Sequence, residues 1–292
     1  MKPAAFEYHR PASLVEALNM LASLDDAKIL AGGQSLGPML NFRYVMPENL
    51  IDINRLTDLQ GIHFESDGSV RIAAMTRQYQ IEQNDQLHER LPIFREALRW
   101  VGHYATRNRG TIGGSLSHLD PAAELPGLCA LLDAQLSIKT EAGERLLSIH
   151  DWTVGFMQPG IEEQELLTDI IIHPWAEPHG FSFLEMSRQH GAFAIAGVAC
   201  LLAVDDKNLI SKAAISLIGV ANGAVRLRDA ENQLLGQSFS HDLAEGVSQI
   251  IDELDAPADA HHSGVFRKRT AKTLCVRALH QAHTQAIQRR SH

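Results

Sequence analysis

Two segments of the chain set a pair of adjacent glycines just before a small polar residue, and the other elements are arranged around them. The first is Lys28-Ile29-Leu30-Ala31-Gly32-Gly33-Gln34-Ser35-Leu36; the second is Arg107-Asn108-Arg109-Gly110-Thr111-Ile112-Gly113-Gly114-Ser115-Leu116. Glycine lacks a Cβ, so the backbone can turn tightly there and another group can approach it closely. Successive N–H groups in such a turn form a concave anion site, and a helix starting there strengthens it. Two such loops suggest one extended anion with two charged positions, such as a dinucleotide pyrophosphate. Neither loop is a G-x-G-x-x-G fingerprint or a P-loop with its lysine. One glycine pair alone is explained by a structural turn. Two of them beside predicted strand ends leave the turn and the ligand site both open.

Ser13-Leu14-Val15-Glu16 has the pattern of a capping box, and Leu14, Ala17, Leu18, Leu21 and Leu24 recur at helical spacing. A short strand is predicted over 28–30, then the first glycine loop, then a short helix over 36–42. That puts the loop at the carboxyl end of a strand, where ligands of α/β folds bind. A further strand is read over 50–53, after Pro47. Residues 1–56 thus read as one small α/β lobe, and 57–176 as a second. In the second, a strand over 69–75 precedes a helix over 91–101, entered through Pro92. The glycine-rich stretch 103–117 is too poor in apolar periodicity for a regular helix. A helix is expected over 121–132 with Asp120 as its cap, then a hairpin of 135–139 and 145–149, then a strand over 165–173.

Pro174-Trp175-Ala176-Glu177-Pro178-His179-Gly180 breaks any regular element. At 292 residues the chain is long for one core and comfortable for two domains, and this is the natural boundary, giving 1–176 and 177–292. Beyond it, strands are predicted over 181–186, 195–204 and 213–220, the last two joined by a turn at 205–208. Helices follow over 230–235, 243–254 and 266–287, with the polar end Gln288-Arg289-Arg290 expected to fray. Strands followed by helices make the fold class α+β.

Several chemistries are excluded. The net charge is −9, and no basic block is interleaved with aromatics, so nucleic acid is not an expected partner. No apolar run is long enough to span a membrane. Met1–Arg10 has no apolar signal region, so the expected location is cytoplasmic; a partner carrying the chain elsewhere is also compatible. Cys129, Cys200 and Cys275 are isolated, offer no thiolate set for zinc or an iron–sulfur cluster, and are expected to be small core residues. None of the 15 histidines forms an HExxH site, and His261-His262 reads as a solvated turn. No metal site or catalytic residue is therefore assigned. There is no G-x-S-x-G elbow. Asp120 and Glu124 share a helical face, but capping and solvation explain Asp120 more simply. Arg107 and Arg109 flank the second loop, where they either offset phosphate charge or are simply solvated. Arg188, near the domain junction, is equally explained by a surface salt bridge. Binding apparatus without a nucleophile fits a chain whose chemistry belongs to a bound cofactor.

Ala31-Gly32-Gly33-Gln34-Ser35-Leu36, and Arg107 to Leu116 followed by Asp120-Pro121-Ala122-Ala123-Glu124-Leu125-Pro126, closely resemble the FAD-binding medium subunit of molybdenum hydroxylases, the carbon monoxide dehydrogenase and xanthine dehydrogenase family. The resemblance starts at Phe6-Glu7-Tyr8 and Pro11-Ala12-Ser13-Leu14. It continues through Pro47 to Ile53 and Glu165-Leu166-Leu167, and closes with Phe266-Arg267 and Arg277-Ala278-Leu279. It implies a two-lobed α/β FAD-binding domain of the PCMH type, then a C-terminal domain of a three-stranded antiparallel sheet and helices, like that of carbon monoxide dehydrogenase flavoproteins. It also implies non-covalent FAD wrapped by Ile29, Leu30, Ala31, Gly32, Gly33, Gln34, Ser35 and Leu36, and by Thr111, Ile112, Gly113, Gly114 and Ser115. Val101 would lie against the flavin nucleotide, Glu124 would accept hydrogen bonds from it, and Leu167 would line its pocket.

By the same resemblance, the chain is an oxidoreductase subunit working with a large molybdopterin subunit that oxidises substrate. A small subunit with two [2Fe–2S] clusters relays electrons to the FAD, in a dimer of heterotrimers. The lack of clustered cysteines agrees with that division and argues against an extra [4Fe–4S] cluster on this chain. One departure stands out. After Arg188 the family reads Arg, a variable residue, Gly-Asp-Phe/Tyr and Ala, whereas this chain has Gln189-His190-Gly191-Ala192-Phe193-Ala194. A stand-alone flavin oxidase or dehydrogenase, and a non-redox nucleotide-binding module, are the rival readings.

Overall fold

The computed structural model describes residues 1–290. The chain begins with β1 (Glu7–His9), α1 (Leu14–Ser23), β2 (Ala27–Leu30), α2 (Leu36–Phe42) and β3 (Asn49–Asp52). The strands form a parallel sheet in the order β1-β3-β2. β1 was not anticipated: it has three residues, too few for an alternating pattern to be read. The capping expectation holds in detail. The Ser13 hydroxyl accepts from Glu16 N at 3.2 Å, and the Glu16 carboxylate reaches back to Ala12 N at 2.6 Å. The helix packs Ala17, Leu18 and Leu21 into one core with Ile51 of β3 and with Ile53 just beyond it.

Next come β4 (Ile62–Phe64), β5 (Val70–Ala73), α3 (Gln78–Gln83), α4 (Asp85–Arg90), α5 (Ile93–Leu98), α6 (Tyr104–Arg109), α7 (Ile112–His118), α8 (Glu124–Leu131), β6 (Gln135–Lys139), β7 (Glu144–Ser148), β8 (Thr153–Gly155), β9 (Gln158–Pro159) and β10 (Leu166–Ile172). Five of these strands form an antiparallel sheet, β4-β5-β10-β6-β7. Two readings are corrected here. The stretch 103–117 contains two short helices, α6 and α7. Gly113 and Gly114 hide the periodicity because they carry no side chains, while Ile112 and Leu116, one turn apart, are both fully buried. The Thr111 hydroxyl caps α7 by accepting from Gly114 N at 3.0 Å. Asp120 does not cap α8: its carboxylate accepts from Ala122 N at 2.8 Å in a turn, and the helix starts only at Glu124.

The last part contains β11 (Gly180–Ser187), β12 (Ala194–Val204), β13 (Ile210–Ile218), β14 (Val225–Arg226), α9 (Arg228–Leu234), α10 (His241–Ser248) and α11 (Gly264–Arg290). The sheet is antiparallel, β11-β12-β13-β14. The three predicted strands are present, joined by a two-residue fourth. The helix read over 243–254 divides into α10 and a 3-10 turn, Gln249–Glu253. β12 is buried along its whole length. One of its faces puts Ala199 and Leu201 into the core shared with the five-stranded sheet and α5, α7 and α8. The other puts Val198, Cys200 and Leu202 into the core built with α11. α11 continues to Arg290 rather than fraying, and Arg289 stacks over the Phe181 ring at 4.6 Å. Residues 291–292 of the expected second domain lie outside the described residues. All three cysteines are free and buried. Among the described residues, no helix is long and apolar enough to cross a membrane.

Arg226 ties this sheet to α8. Its guanidinium donates to the carbonyls of Ala130 (3.0 Å) and Leu131 (2.7 Å) at the end of α8, where helix carbonyls lack partners within the helix. It also pairs with Glu231, which accepts from Ile215 N at 2.8 Å. Arg226 and Glu231 side chains are only 6% and 7% exposed. Removing one partner of a buried pair leaves the other charge uncompensated, which costs about 3–5 kcal/mol. Arg226→Ala is therefore expected to lower the unfolding free energy by about that amount in a urea titration. A loss under about 1 kcal/mol would mean the pair is solvated like a surface ion pair.

Candidate functional site

The first glycine loop leaves the carboxyl end of β2 and enters α2. Gly33 has φ +71°, the left-handed region that disfavours side chains. Gly32 lies directly on the second loop. A Cβ there would collide with the Arg109 carbonyl oxygen and sit 2.9 Å from Gly110 Cα. A Cβ on Gly114 would be 3.5 Å from the Ala31 methyl. The two loops, far apart in sequence, therefore meet backbone to backbone. Among the described residues, the N–H groups of Gly32, Gly33, Gln34 and Ser35 donate to no acceptor in the protein. Such a run of free donors is an anion-binding concavity.

The second loop is built differently. Ile112 N donates to Thr76 O (3.2 Å), Gly113 N to Ala74 O (2.8 Å), Gly114 N to the Thr111 hydroxyl (3.0 Å) and Ser115 N to Thr111 O (3.1 Å). All four amides are spent inside the protein. Gly113 is there for packing, since a Cβ would sit 2.5 Å from the Ala74 methyl. This loop thus offers side-chain and Cα surface rather than an amide cradle.

A polar chain behind the loops holds them in register, and nothing in the sequence singled it out. The Arg77 guanidinium donates to the Arg109 carbonyl and, at 2.6 Å, to Asn54 Oδ1. Asn54 Nδ2 donates to Ala31 O at 2.7 Å and to Asp52 Oδ1 at 2.6 Å, and the Tyr8 hydroxyl donates to Asp52. Burial pushes the Asp52 carboxyl up, but hydrogen bonds from Tyr8 and Asn54 outweigh it and hold the pKa below the usual value. Asp52 is thus an anchored carboxylate under the first loop.

The remaining expected residues are dispersed around this centre. Val101 and Leu167 are buried in the central core. Glu124, at the start of α8, is 9% exposed, and burial pushes its carboxyl up to about 7. Arg107 is neither solvated nor free for phosphate: it pairs with Glu82 at 2.8 Å and donates to Val101 O. Arg109 is exposed. Gly191 (φ +80°) packs on Gly102 and His103, and Ala192 N donates to Gln189 O in a turn. That turn does not require an acid at 192.

The geometry is thus one glycine loop with free strand-end amides, suited to an anion, locked to a second loop and backed by a carboxylate-anchored network in an α+β protein. Comparison with known families gives it a class. Residues 4–175 match the FAD binding domain in molybdopterin dehydrogenase, and 181–282 match the CO dehydrogenase flavoprotein C-terminal domain. The chain belongs to the family of FAD-binding medium subunits of molybdenum hydroxylases. It is 38% identical over 284 residues to the 6-hydroxypseudooxynicotine dehydrogenase complex subunit alpha of Paenarthrobacter nicotinovorans, covering 97% of this chain and 96% of that one. It is 33% identical to the carbon monoxide dehydrogenase medium chain of Hydrogenophaga pseudoflava, covering 97% and 98%. Among solved structures, quinoline 2-oxidoreductase from Pseudomonas putida 86 matches with TM-score 0.93 at 34% identity, over 98% of this chain and 100% of that chain.

Gly32→Ala is expected to force the loops apart, losing about 1–3 kcal/mol of stability as overpacked sites do, read by thermal unfolding. Gly37→Ala is the control. A Cβ on Gly37 meets nothing within 4 Å, and this helical substitution is expected to gain about 0.5–1 kcal/mol. Equal effects at both positions would refute the close contact between the loops.

Proposed function

We propose that this chain is the FAD-carrying medium subunit of a heterotrimeric molybdenum hydroxylase. It accepts electrons from [2Fe–2S] clusters on a small partner subunit and passes them to an external acceptor, while substrate is oxidised on a large molybdopterin subunit. The observation that carries the reading is the row of free amides at Gly32, Gly33, Gln34 and Ser35, at the end of a parallel strand. An FAD pyrophosphate has the charge to occupy them. When bound, FAD supplies the redox chemistry, and the protein supplies binding and orientation. Ile29 to Leu36 and Thr111 to Ser115 hold the pyrophosphate and ribityl; Val101 lies against the flavin nucleotide, Glu124 accepts hydrogen bonds from it, and Leu167 lines its pocket. Binding is non-covalent. Burial pushes the Cys129 and Cys275 thiols up to about 12, so neither offers a thiolate for a tether. The FAD-binding domain spans 1–176, with lobes 1–56 and 57–176, and the C-terminal domain 177–292. The assembly is a dimer of heterotrimers in the cytoplasm.

An absorption spectrum of the purified chain before and after adding FAD, with the nucleotide identified after denaturation, tests this. Stoichiometric, releasable FAD is expected, with larger and smaller subunits copurifying from a coexpressed operon-like set. Tight binding of a different nucleotide, or oxidation of an organic substrate by the lone chain, would overturn it.

A further inference from the structure

A peptide unit is planar and trans, so its C=O and N–H point in opposite directions. Whatever holds the carbonyl of one residue therefore aims the amide of the next. In the first glycine loop, Ala31 O accepts from Asn54 Nδ2 at 2.7 Å, which turns the Gly32 N–H to the opposite side. Gly32 O accepts from Gln34 Nε2 at 3.2 Å, and Gly33 O from Gly37 N at 2.9 Å. These aim the Gly33 and Gln34 amides in the same way. Of the three holds, the one on Ala31 comes from outside the loop and the helix after it.

Asn54 is itself fixed. Arginine only donates, so the Asn54 atom 2.6 Å from Arg77 Nη2 is the carboxamide oxygen. Nδ2 is left to donate to Ala31 O and, at 2.6 Å, to Asp52 Oδ1. The donors run one way: Arg77 to Asn54, Asn54 to the Ala31 carbonyl, and the Gly32 N–H of that same peptide outward. Hydrogen bonds in series polarise one another, so the guanidinium at the head strengthens the amide at the tail.

The charge at the head is not cancelled. Arg77 is half-buried, and both its acceptors, Asn54 Oδ1 and the Arg109 carbonyl, are uncharged. It enters no ion pair among the described residues. Asp52, the carboxylate that acts on it, is occupied by the Tyr8 hydroxyl and by Asn54 N and Nδ2. Burial lowers the Arg77 pKa from the usual arginine value, the mark of a charge partly removed from water, where its field reaches further. Arg107, by contrast, spends its charge on Glu82 at 2.8 Å.

We propose that Asn54 and Arg77 are positioning residues for the cofactor: Asn54 aims the Gly32 amide at the FAD pyrophosphate, and Arg77, acting through Asn54 and the Ala31–Gly32 peptide, supplies positive charge from behind the loop. The proposal rests on the FAD reading above and names the cation that serves that site. The same guanidinium covers the Arg109 carbonyl oxygen, which lies where a Gly32 Cβ would be. An uncovered carbonyl there would set a negative dipole beside the incoming anion.

The test uses the full chain stripped of flavin. FAD is titrated into the wild type, Arg77→Met, Asn54→Ala and the double variant, at a temperature where circular dichroism shows each chain folded. Losing one charge-assisted hydrogen bond is expected to weaken FAD binding about tenfold in either single variant. The two residues act in series, so Arg77→Met made on top of Asn54→Ala should cost less than about threefold more. A charge acting on an anion is screened by salt, whereas a purely structural prop is not. The wild-type advantage over Arg77→Met should therefore shrink as NaCl rises from about 0.05 to about 0.5 M. Wild-type affinity in both single variants, full multiplication of the two losses, or an advantage unchanged by salt overturns the proposal alone.

A readout on the wild type keeps the proposal testable if the variants do not fold. The amide proton resonance of Gly32 is expected to move downfield as FAD binds, the sign of a new hydrogen bond to an anion. FAD binding that leaves this resonance in place overturns the proposal. Failure of the wild type to bind FAD at all overturns the site reading, and the proposal with it.

Discussion

The contact that everything else depends on is between two stretches of backbone. Gly32 sits against Arg109 and Gly110 at a distance that leaves no room for a Cβ. That approach brings the end of β2 against the start of α7, and so joins the parallel sheet to the five-stranded one. Backbone held this close needs its polar groups answered. Arg77 and Asn54 do so by taking up the Arg109 and Ala31 carbonyls from behind. With the carbonyls satisfied on the protein side, the amides of Gly32 to Ser35 are left open for a ligand.

The same logic of shared surfaces runs through the rest of the molecule. β12 belongs to two cores at once, one on each face. The C-terminal sheet therefore rests on the FAD-binding region along α5 and α8 instead of hanging from its linker. Arg226 closes one end of that seam with a buried ion pair and two carbonyls of α8. At Glu185 the seam holds a carboxyl with no hydrogen-bond partner among the described residues.

Much of this architecture can be read locally. The α1 cap, the strand–loop–helix around the first glycine pair, the hairpin of β6 and β7 and the three long C-terminal strands all follow from residues within a few positions of one another. The errors fall where neighbours are not enough. α7 was hidden because two of its seven residues are glycines. The start of α8 moved because the Asp120 side chain closes its own turn instead of a helix end. Arg107, which the sequence leaves open between offsetting phosphate and lying solvated, does neither, because the fold brings Glu82 beside it.

By itself, the sequence determined where the chain can turn, where it can bury itself and, through its motifs, the family to which it belongs. Those properties depend on side-chain size, glycine freedom and spacing along the chain. Only the tertiary structure decided which of two similar glycine loops keeps its amides free. The second loop finds acceptors at Ala74 and Thr76, while the first finds none among the described residues. A hydrogen bond depends on distance in space, and the partners that use up one loop and leave the other open lie on strands and turns remote in sequence. The same holds for Glu185. Its carboxyl is unremarkable in an alternating strand, and only the packing of β11 against α5 removes its water and leaves it without a hydrogen-bond partner among the described residues.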